Sequence, residues 1–259
     1  MKKYKVKYYC VSNIGKHRKI NQDNFIADGE YLRHHEAEMP EPLTGEFEGG
    51  IPLFVGVFDG MGGEECGEIA SLIASECAAK LTVGADTVET LLSFCEEANR
   101  RICEYAKDNQ VESMGTTGAM LLFSDQDITL CNIGDSRIFR LAGEEFTQIS
   151  LDHTAPYLVG GKPPLSQNLG IPPEEMRIEP YVAKGQYQDG DIYLICSDGL
   201  TDMVSNEEIT RVLLEYDTGP AVDELLRMAL ANGGKDNVTI ILCRVKRKRG
   251  GLFGLFERD

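Results

Sequence analysis

Apolar residues recur along this chain with two spacings, and each spacing predicts a different element. Residues 53–58 form a continuous apolar run, which is typical of a strand buried on both faces. Over residues 64–81 the apolar positions instead recur every fourth residue, so they predict one face of a helix. A similar pattern returns over residues 87–107. Because only a short link around Gly84 separates the two helices, we expect them to pack as an antiparallel pair.

The rest of the chain shows strand patterns and one more pair of helices. These helices are predicted over residues 206–216 and 220–231. Further strands are predicted at residues 6–11, 24–27, 116–123, 128–133, 137–141, 192–196 and 238–245. Because the strands come in runs and the helices in pairs, the pattern favours an α+β fold in which sheets stack on each other with helices outside.

Two segments carry neither pattern. Residues 29–50 are rich in glutamate and are predicted to form an exposed loop between two strands. Residues 246–259 are basic and then apolar, and we expect a disordered tail there. Since no boundary divides the remainder, residues 1–245 are predicted to form one globular domain.

Composition narrows the class of protein. The chain has 259 residues and a net charge of −16, so a nucleic acid would be repelled over most of the surface. No apolar run approaches the roughly 20 residues that cross a bilayer, and no apolar segment follows the basic start at Met1. The 8 cysteines are scattered without a CxxC pair, so we expect reduced thiols and a cytoplasmic protein.

Aspartates stand at the ends of the predicted strands. Asp59, Asp135 and Asp198 each follow one, and Asp236 directly precedes the last. Any one of them could be only a turn residue, because Asp favours turns. Together, however, carboxylates that converge at strand ends would repel one another unless a cation neutralised them. Ligation by oxygen alone selects hard cations such as Mg²⁺ or Mn²⁺.

Arg18 offers a second element of such a site. Taken alone, it is an ordinary surface charge. Beside two cations about 3.5–4 Å apart, which can activate a shared water, its forked donors could hold the remaining oxygens of a phosphate.

Several short motifs follow one another in a fixed order and carry a family resemblance. They are Arg18-x-x-Asn21-Gln22-Asp23, Val57-Phe58-Asp59-Gly60-Met61-Gly62-Gly63, Met114-Gly115-Thr116-Thr117, Gly134-Asp135-Ser136-Arg137, Asp152-His153, Leu169-Gly170, Ser197-Asp198-Gly199-Leu200 and Asp236-Asn237-Val238-Thr239. In this order they resemble the metal-dependent (type 2C, PPM) serine/threonine protein phosphatases, most closely the short bacterial members, over about residues 4–245.

The resemblance implies a four-layer αββα fold, with a central antiparallel β-sandwich flanked by pairs of antiparallel helices. It also implies two Mn²⁺ or Mg²⁺ ions. Asp59 would bridge both ions, and the Gly60 carbonyl would ligate one of them. Asp198 and Asp236 would complete the shell of the other. A hydroxide that bridges the metals would attack phosphorus directly, so that no phosphoenzyme forms.

Further roles follow from the same resemblance. Asp23 would be a metal ligand or a carboxylate just outside the shell, and Arg18 would bind the substrate phosphate. Asn237 and Asp135 would orient the ligands through hydrogen bonds, although Asp135 could equally be only a turn residue. The implied substrates are phosphoproteins, an opposing Ser/Thr kinase is expected, and the chain is expected to be a monomer.

Three of the departures from the family pattern bear on catalysis, on substrate choice and on a third metal. Met61 replaces the histidine of animal members, so another group must protonate the leaving oxygen. Residues 154–168 are shorter than the usual flap and are predicted to form a turn-rich loop. The aspartate that serves a third metal in some relatives is Ser113 here, so we expect Glu112, with Asp198, to bind a weak third cation.

Two other functions stay open at this stage. The chain could be a catalytically silent relative that works as a binding module, although Asp59, Asp198 and Asp236 are intact. It could also hydrolyse small phosphorylated metabolites or nucleotides, because a metal site of this kind recognises only the phosphoryl group.

Overall fold

The computed structural model describes residues 4–34, 39, 41–61, 66–125, 127–156 and 163–248. The strands are β1 (Tyr4–Asn13), β2 (Asp23–Ala27), β3 (Leu43–Phe47), β4 (Leu53–Met61), β5 (Gly115–Thr116), β6 (Gly118–Phe123), β7 (Asp127–Ile133), β8 (Arg137–Ala142), β9 (Glu145–Gln148), β10 (Tyr181–Gln186), β11 (Ile192–Cys196) and β12 (Val238–Arg247). The helices are α1 (Gly67–Ala79), α2 (Thr87–Asp108), α3 (Asp198–Thr201), α4 (Asn206–Glu215) and α5 (Thr218–Ala231).

The strands form two sheets in which every described pairing is antiparallel. The first sheet has the strand order β3-β1-β12-β11-β8-β9. The second has the order β10-β7-β6-β4-β2, and the short β5 pairs with the end of β4. A long pairing joins β1 to β12, so the first and last described strands lie side by side in the interior of the first sheet.

The two sheets pack face to face through one apolar core. Val6 and Ile241 from the first sheet lie in the same buried cluster as Val55 and Leu121 from the second. Alternate residues of these strands point to the opposite face, as the two-residue period of a strand requires. The central β-sandwich is therefore confirmed.

Each outer face of the sandwich is covered by helices. On the second sheet, Leu91 and Ile102 of α2 pack in one cluster with Phe58 and Met120. On the first sheet, residues of α4 and α5 pack in another cluster with Leu242. The layers therefore follow the order helix, sheet, sheet, helix, and the predicted αββα architecture is confirmed.

The ends of two predicted helices have clear local causes. The Asp86 carboxylate accepts hydrogen bonds from the backbone N–H groups of Val88 and Glu89. Asp86 is therefore the N-cap of α2. Ser205 and Glu208 form a capping box at the start of α4, each side chain bonding to the backbone of the other. Such caps satisfy the N–H groups that the first turn of a helix leaves without partners.

The prediction that residues 29–50 form only a loop is wrong. β3 lies within this range and pairs with β1, and Lys5 and Lys7 of β1 form ion pairs with Glu46 of β3. Residues 35–38 and 40 lie outside the described residues. The predicted tail over residues 246–259 begins too early, because β12 continues through Arg247. Residues 249–259 lie outside the description.

Two expectations about composition can be compared with the structure. All 8 cysteines are free thiols, and six of them are buried: Cys10, Cys77, Cys95, Cys131, Cys196 and Cys243. Among the described residues, no helix combines the length and the apolar character that spanning a membrane requires.

Candidate metal centre

The predicted aspartates lie at one end of the sandwich, on strands of both sheets. Asp23 and Asp59 stand opposite each other in the β2–β4 pairing of the second sheet. Asp198 follows β11, and Asp236 precedes β12, two strands that are neighbours in the first sheet. Strand ends of two stacked sheets therefore bring these carboxylates together.

One cavity of about 370 Å³, which we call the carboxylate cavity, is lined by four aspartates: Asp59, Asp135, Asp198 and Asp236. The residues that line it are Arg18, Gln22, Asp59, Gly60, Met61, Thr117, Asp135, Pro163, Leu165, Asp198 and Asp236. Arg18 is therefore brought to the carboxylates as the sequence predicted. Its Nη2 atom lies 2.6 Å from Oδ2 of Asp236, and this hydrogen bond raises the pKa of the guanidinium. The contact is half-exposed, so it is a weak constraint.

The backbone of Asp59 is held on both sides by Thr116, the last residue of β5, and by Thr117, which follows it. Its N–H donates to Oγ1 of Thr117 at 3.0 Å. Its carbonyl accepts from Thr117 N at 2.9 Å and from Oγ1 of Thr116 at 3.0 Å. The Thr117 hydroxyl also lies 2.7 Å from Oγ of Ser136, beside Asp135. Both threonines are buried, so these bonds are shielded from water and fix the Asp59 main chain.

Two glycines beside these aspartates permit close contacts between chain segments. A Cβ atom on Gly60 would lie 2.1 Å from the carbonyl oxygen of Gly67, at the start of α1. A Cβ atom on Gly199 would lie 1.9 Å from the carbonyl oxygen of Asn237. Any larger residue would push these segments apart, so the glycines keep Asp59 and Asp198 near the rest of the site.

Asn237 ties the loop that carries Arg18 to the start of β12. Its Oδ1 accepts from Gln22 N at 2.8 Å, and its Nδ2 donates to the carbonyls of Ile14 and Ile20 at 2.9 and 3.1 Å. Its own backbone N–H donates to Oδ1 of Asp236 at 2.8 Å. The side chain is almost fully buried, so its hydrogen-bonding groups are used within the protein.

Asp23 lies beneath the carboxylate cavity and is not among the residues that line it. Ser197 Oγ donates to its Oδ2 at 2.7 Å, whereas Oδ1 is buried without a hydrogen bond of normal geometry. Burial raises the pKa of Asp23 to about 6, and the hydroxyls of Ser197 and Thr239 oppose that rise. A buried carboxylate oxygen without a partner is costly unless a cation or a proton compensates it.

Asp135 occupies a turn and also lines the carboxylate cavity. The turn depends on Gly134, whose φ of 98° is left-handed, and whose N–H donates to Nδ1 of His153 at 3.2 Å. Burial lowers the pKa of His153, which keeps the ring neutral and able to accept this bond. His153, in the loop after β9, thus holds the turn at Gly134, and Asp135 at this turn lines the cavity.

The structure does not bring Glu112 to Asp198. Glu112 lines a neighbouring cleft, and Asp198 lines the carboxylate cavity. Gly115, three residues after Glu112, pairs with Met61, and all three residues line that cleft. The predicted third cation site, made of Glu112 and Asp198, therefore has no support in this arrangement.

In the loop over residues 154–168, Thr154 and Leu165 form an isolated bridge, and residues 157–162 lie outside the description.

The carboxylates suit a hydrated hard cation better than a closed metal cage. Within the described part of the chain, no three Asp, Glu, His or Cys side chains form a complete ligand set around one point. The aspartates instead surround a space that has room for water. Mg²⁺ and similar ions retain several waters and bind few carboxylates each, so these residues fit such ions. The lining residues that the structure describes contain neither thiol nor imidazole, which zinc would favour.

Sequence reasoning assigned no role to Thr116, Thr117 or Ser197. Each belongs to a motif that carries the resemblance, but nothing in its spacing shows which backbone or side-chain atom it contacts. Their contribution is a hydrogen bond across the fold, so only the coordinates reveal it.

Comparison with known proteins places this arrangement in a family. The family model for protein phosphatase 2C matches residues 44–242. The serine/threonine protein phosphatase PstP of Mycobacterium tuberculosis is 34% identical over 207 residues, which are 72% of this chain and 39% of PstP. This chain thus matches well under half the length of that relative. The serine/threonine phosphatase stp of Listeria monocytogenes is 30% identical over 242 residues, 84% of this chain and 93% of stp.

A solved structure agrees with the sequence matches. It is the catalytic domain of the serine threonine protein phosphatase PstP in complex with 2 manganese ions. It shares 27% sequence identity with this chain and superposes with a TM-score of 0.75, covering 94% of this chain and 99% of that one. With its αββα layers and its motifs in order, the chain belongs to the protein phosphatase 2C family.

Proposed function

We propose that this chain is a metal-dependent protein serine/threonine phosphatase, which hydrolyses phosphoserine and phosphothreonine in proteins. One observation carries the proposal: aspartates from both sheets line a single cavity beside Arg18. Such a concentration of negative charge would repel a phosphate unless cations offset it. The names of the relatives, PstP and stp, support the same activity.

The carboxylate cavity would hold two Mn²⁺ or Mg²⁺ ions. Asp59 would bridge the two ions, the Gly60 carbonyl would ligate one, and Asp198 and Asp236 would ligate the other. When bound, two such ions lower the pKa of a shared water and offset the charge of a phosphoryl group. The PstP structure with 2 manganese ions supports this number of ions.

The contribution of Arg18 is to hold the phosphate. Its guanidinium lies at the cavity and is half-exposed, so a substrate can reach it. It now donates to Oδ2 of Asp236, and a bound phosphate would compete for the same donors. The planar fork of arginine matches two phosphate oxygens, which orients the phosphorus toward the metal ligands.

The remaining site residues would position these groups. Asn237 fixes the Arg18 loop, and the two threonines fix the main chain of Asp59. Asp23 would supply a ligand or an acceptor just outside the shell, where its Oδ1 lacks a partner. Asp135 would bind a water of the shell. Fixed donors and charges of this kind cost no reorganisation during the reaction.

A phosphatase of small phosphorylated metabolites is the second candidate, because nothing in the carboxylate cavity distinguishes a phosphopeptide from a sugar phosphate. A second cleft, which shares Met61 with the carboxylate cavity, would give a protein substrate further contacts that a small metabolite could not make. A serine/threonine kinase would supply the substrates of this enzyme.

The test is phosphate release from a phosphothreonine peptide, with and without added Mn²⁺, beside glucose 6-phosphate at the same concentration. We expect Mn²⁺-dependent turnover of the peptide, and kcat/KM at least about 100-fold higher than for the sugar phosphate. Equal turnover of both substrates would favour the metabolite phosphatase. Absence of any turnover with Mn²⁺ would favour a silent binding module.

A further inference from the structure

A second cleft opens beside the carboxylate cavity and shares Met61 with it. This side cleft measures about 700 Å³ and lies between the C-terminal end of α2 and the loop that follows Leu169. Gly115, which pairs with Met61 at the end of β4, also lines it. A chain bound with its phosphate in the carboxylate cavity could therefore continue past Met61 into the side cleft.

The surface of the side cleft contains several apolar groups. Ala106 of α2, Val111 and Met114 line one side, and Ile171 and Pro172 line the other. Met114 is buried, whereas the other four are partly exposed. Apolar side chains that remain accessible inside a concave surface are typical of a binding site.

The charges around this apolar surface are mainly negative. Among the lining residues, Arg100 forms ion pairs with Glu97 and Glu104, so its charge is already offset. Glu104, which also lines the cleft, is the partner of Arg100, so Lys107 is left against the three other exposed glutamates: Glu112, Glu174 and Glu175. Within the described residues, none of these three glutamates takes part in an ion pair.

The pKa of the Cys103 thiol, in the same cleft, is affected by these negative charges. Cys103 lines the cleft and is partly buried. Burial is the largest cause that raises the pKa of the Cys103 thiol, and the charges of Glu174 and Glu175 raise it further. The two glutamates are thus close enough to affect a group on α2, although they lie on the opposite wall.

We propose that the side cleft binds the segment of a phosphoprotein that flanks the phosphorylated residue, and that it prefers an apolar residue next to a lysine or arginine. The inference rests on the proposed function. The apolar wall would take the apolar side chain, and Glu112, Glu174 and Glu175 would attract the cation. An acidic segment would be repelled by the same three carboxylates.

The preference should be modest. The three glutamates are exposed, and exposed ion pairs are weak because water and salt screen them. An extended peptide advances about 3.3 Å per residue, so residues within a few positions of the phosphosite can reach the cleft. A peptide could enter the cleft with either chain direction. The flanking pair is therefore placed before the phosphothreonine in one set of peptides and after it in another.

The experiment measures kcat/KM for phosphothreonine peptides of one length that carry Leu-Arg, Ala-Arg or Leu-Glu before or after the phosphothreonine. On one side, we expect the Leu-Arg peptide to exceed the Leu-Glu peptide by about tenfold, as a few screened ion pairs would allow. The Ala-Arg peptide should fall about threefold below Leu-Arg, because one apolar side chain is lost. p-Nitrophenyl phosphate, which has no flanking residues, serves as the reference substrate.

The test variant is Glu112→Gln/Glu174→Gln/Glu175→Gln, and the matched control is Glu144→Gln/Glu145→Gln/Glu207→Gln. The control changes three exposed glutamates that do not line the cleft, so the net charge shifts equally. In the test variant, the ratio of Leu-Arg to Leu-Glu should fall below about threefold. The control should keep the wild-type ratio, and both variants should hydrolyse p-nitrophenyl phosphate like the wild type.

Equal kcat/KM for Leu-Arg and Leu-Glu peptides on both sides would overturn the inference. A test variant that keeps the wild-type ratio would do the same, since the glutamates would then not be the source. In either case, turnover of p-nitrophenyl phosphate would show that the phosphatase activity itself stands. If the wild type hydrolysed no substrate at all, the proposed function would fail, and this inference would fail with it.

Discussion

The carboxylate cavity and the side cleft meet at Met61, yet their acidic residues are held in very different ways. Asp135 and Asp198 are buried at turns or strand ends, and the main chain of Asp59 is bonded on both sides to buried threonines. In the side cleft, Glu174 and Glu175 are exposed on a loop without ion pairs in the described structure. The two regions are neighbours with the same sign of charge.

This difference reflects what each region has to do. Ligands that hold cations against a reacting group must stay within a fraction of an ångström, and buried hydrogen bonds supply that accuracy. Recognition of a flanking segment tolerates movement, because exposed charges act over several ångströms and cost little to arrange. We therefore expect substitutions in the cavity to affect kcat strongly, and those in the cleft to affect only peptide preference.

The largest effect should come from Asp59→Asn. Loss of the proposed bridging charge should release at least one cation, so kcat should fall by at least about 100-fold, equal to about 2.7 kcal/mol of barrier. The measurement is kcat at saturating Mn²⁺, with thermal unfolding to show that the fold persists. Asp108→Asn, an exposed aspartate at the end of α2, is the control. If the Asp59 variant kept more than about a tenth of wild-type kcat, the bridging role would be wrong.

Arg18→Ala should raise KM for a phosphothreonine peptide by about tenfold, as expected when a charge-assisted contact to phosphate is lost. The same change removes a hydrogen bond to Asp236, so Mn²⁺ affinity should stay equal or increase. Titration with Mn²⁺ and steady-state kinetics separate the two effects, and Lys19→Ala serves as the control. An unchanged KM together with weaker Mn²⁺ binding would show that Arg18 supports the metal site instead.

Thr117→Val keeps the shape of the side chain but removes the hydroxyl that accepts from Asp59 N. Leaving that buried N–H without a partner should cost about 1–3 kcal/mol of stability. A displaced Asp59 should lower kcat about fivefold. Thr129→Val provides the matched control, because it breaks a buried hydroxyl pair with Thr87 far from the site. Equal kcat in the two variants would mean that Thr117 contributes only stability.

The smallest effect should come from Glu175→Gln in the side cleft. One exposed charge should change kcat/KM for the Leu-Arg peptide by only about twofold. Turnover of p-nitrophenyl phosphate should not change, because that substrate does not reach the cleft. A fall of similar size with p-nitrophenyl phosphate would place the effect of Glu175 in the carboxylate cavity and would remove the distinction between the two regions.

The strands that the sequence pattern missed share one physical property. β3, β9 and β10 are edge strands, each with a neighbour on one side only. Most of their residues are exposed or only partly buried, so they lack the continuous apolar run that marks a buried strand. The central strands, such as β4 and β11, are buried throughout most of their length and were therefore predictable.

A similar limit applies to the site. The aspartates were predictable because strand ends of a sandwich meet, and the order of the motifs identified the family. Asp23 was placed near the site, but its position beneath the cavity depends on the register with Asp59. Glu112 and Asp198 line different spaces, a separation that their positions in the sequence do not show. Sequence spacing shows which residues occur near strand ends, but pairing decides the cavity to which each one belongs.

The number of Mn²⁺ ions bound per chain tests the central claim most directly. Equilibrium dialysis of the full chain against Mn²⁺, with the metal counted by atomic absorption, gives that number without relying on activity. We expect about two ions for the wild type and for Asp108→Asn, and at most one for Asp59→Asn, because the bridging carboxylate is lost. Wild-type binding of fewer than two ions, or an unchanged number in Asp59→Asn, would contradict the view that the aspartates at these strand ends form a two-metal phosphatase site.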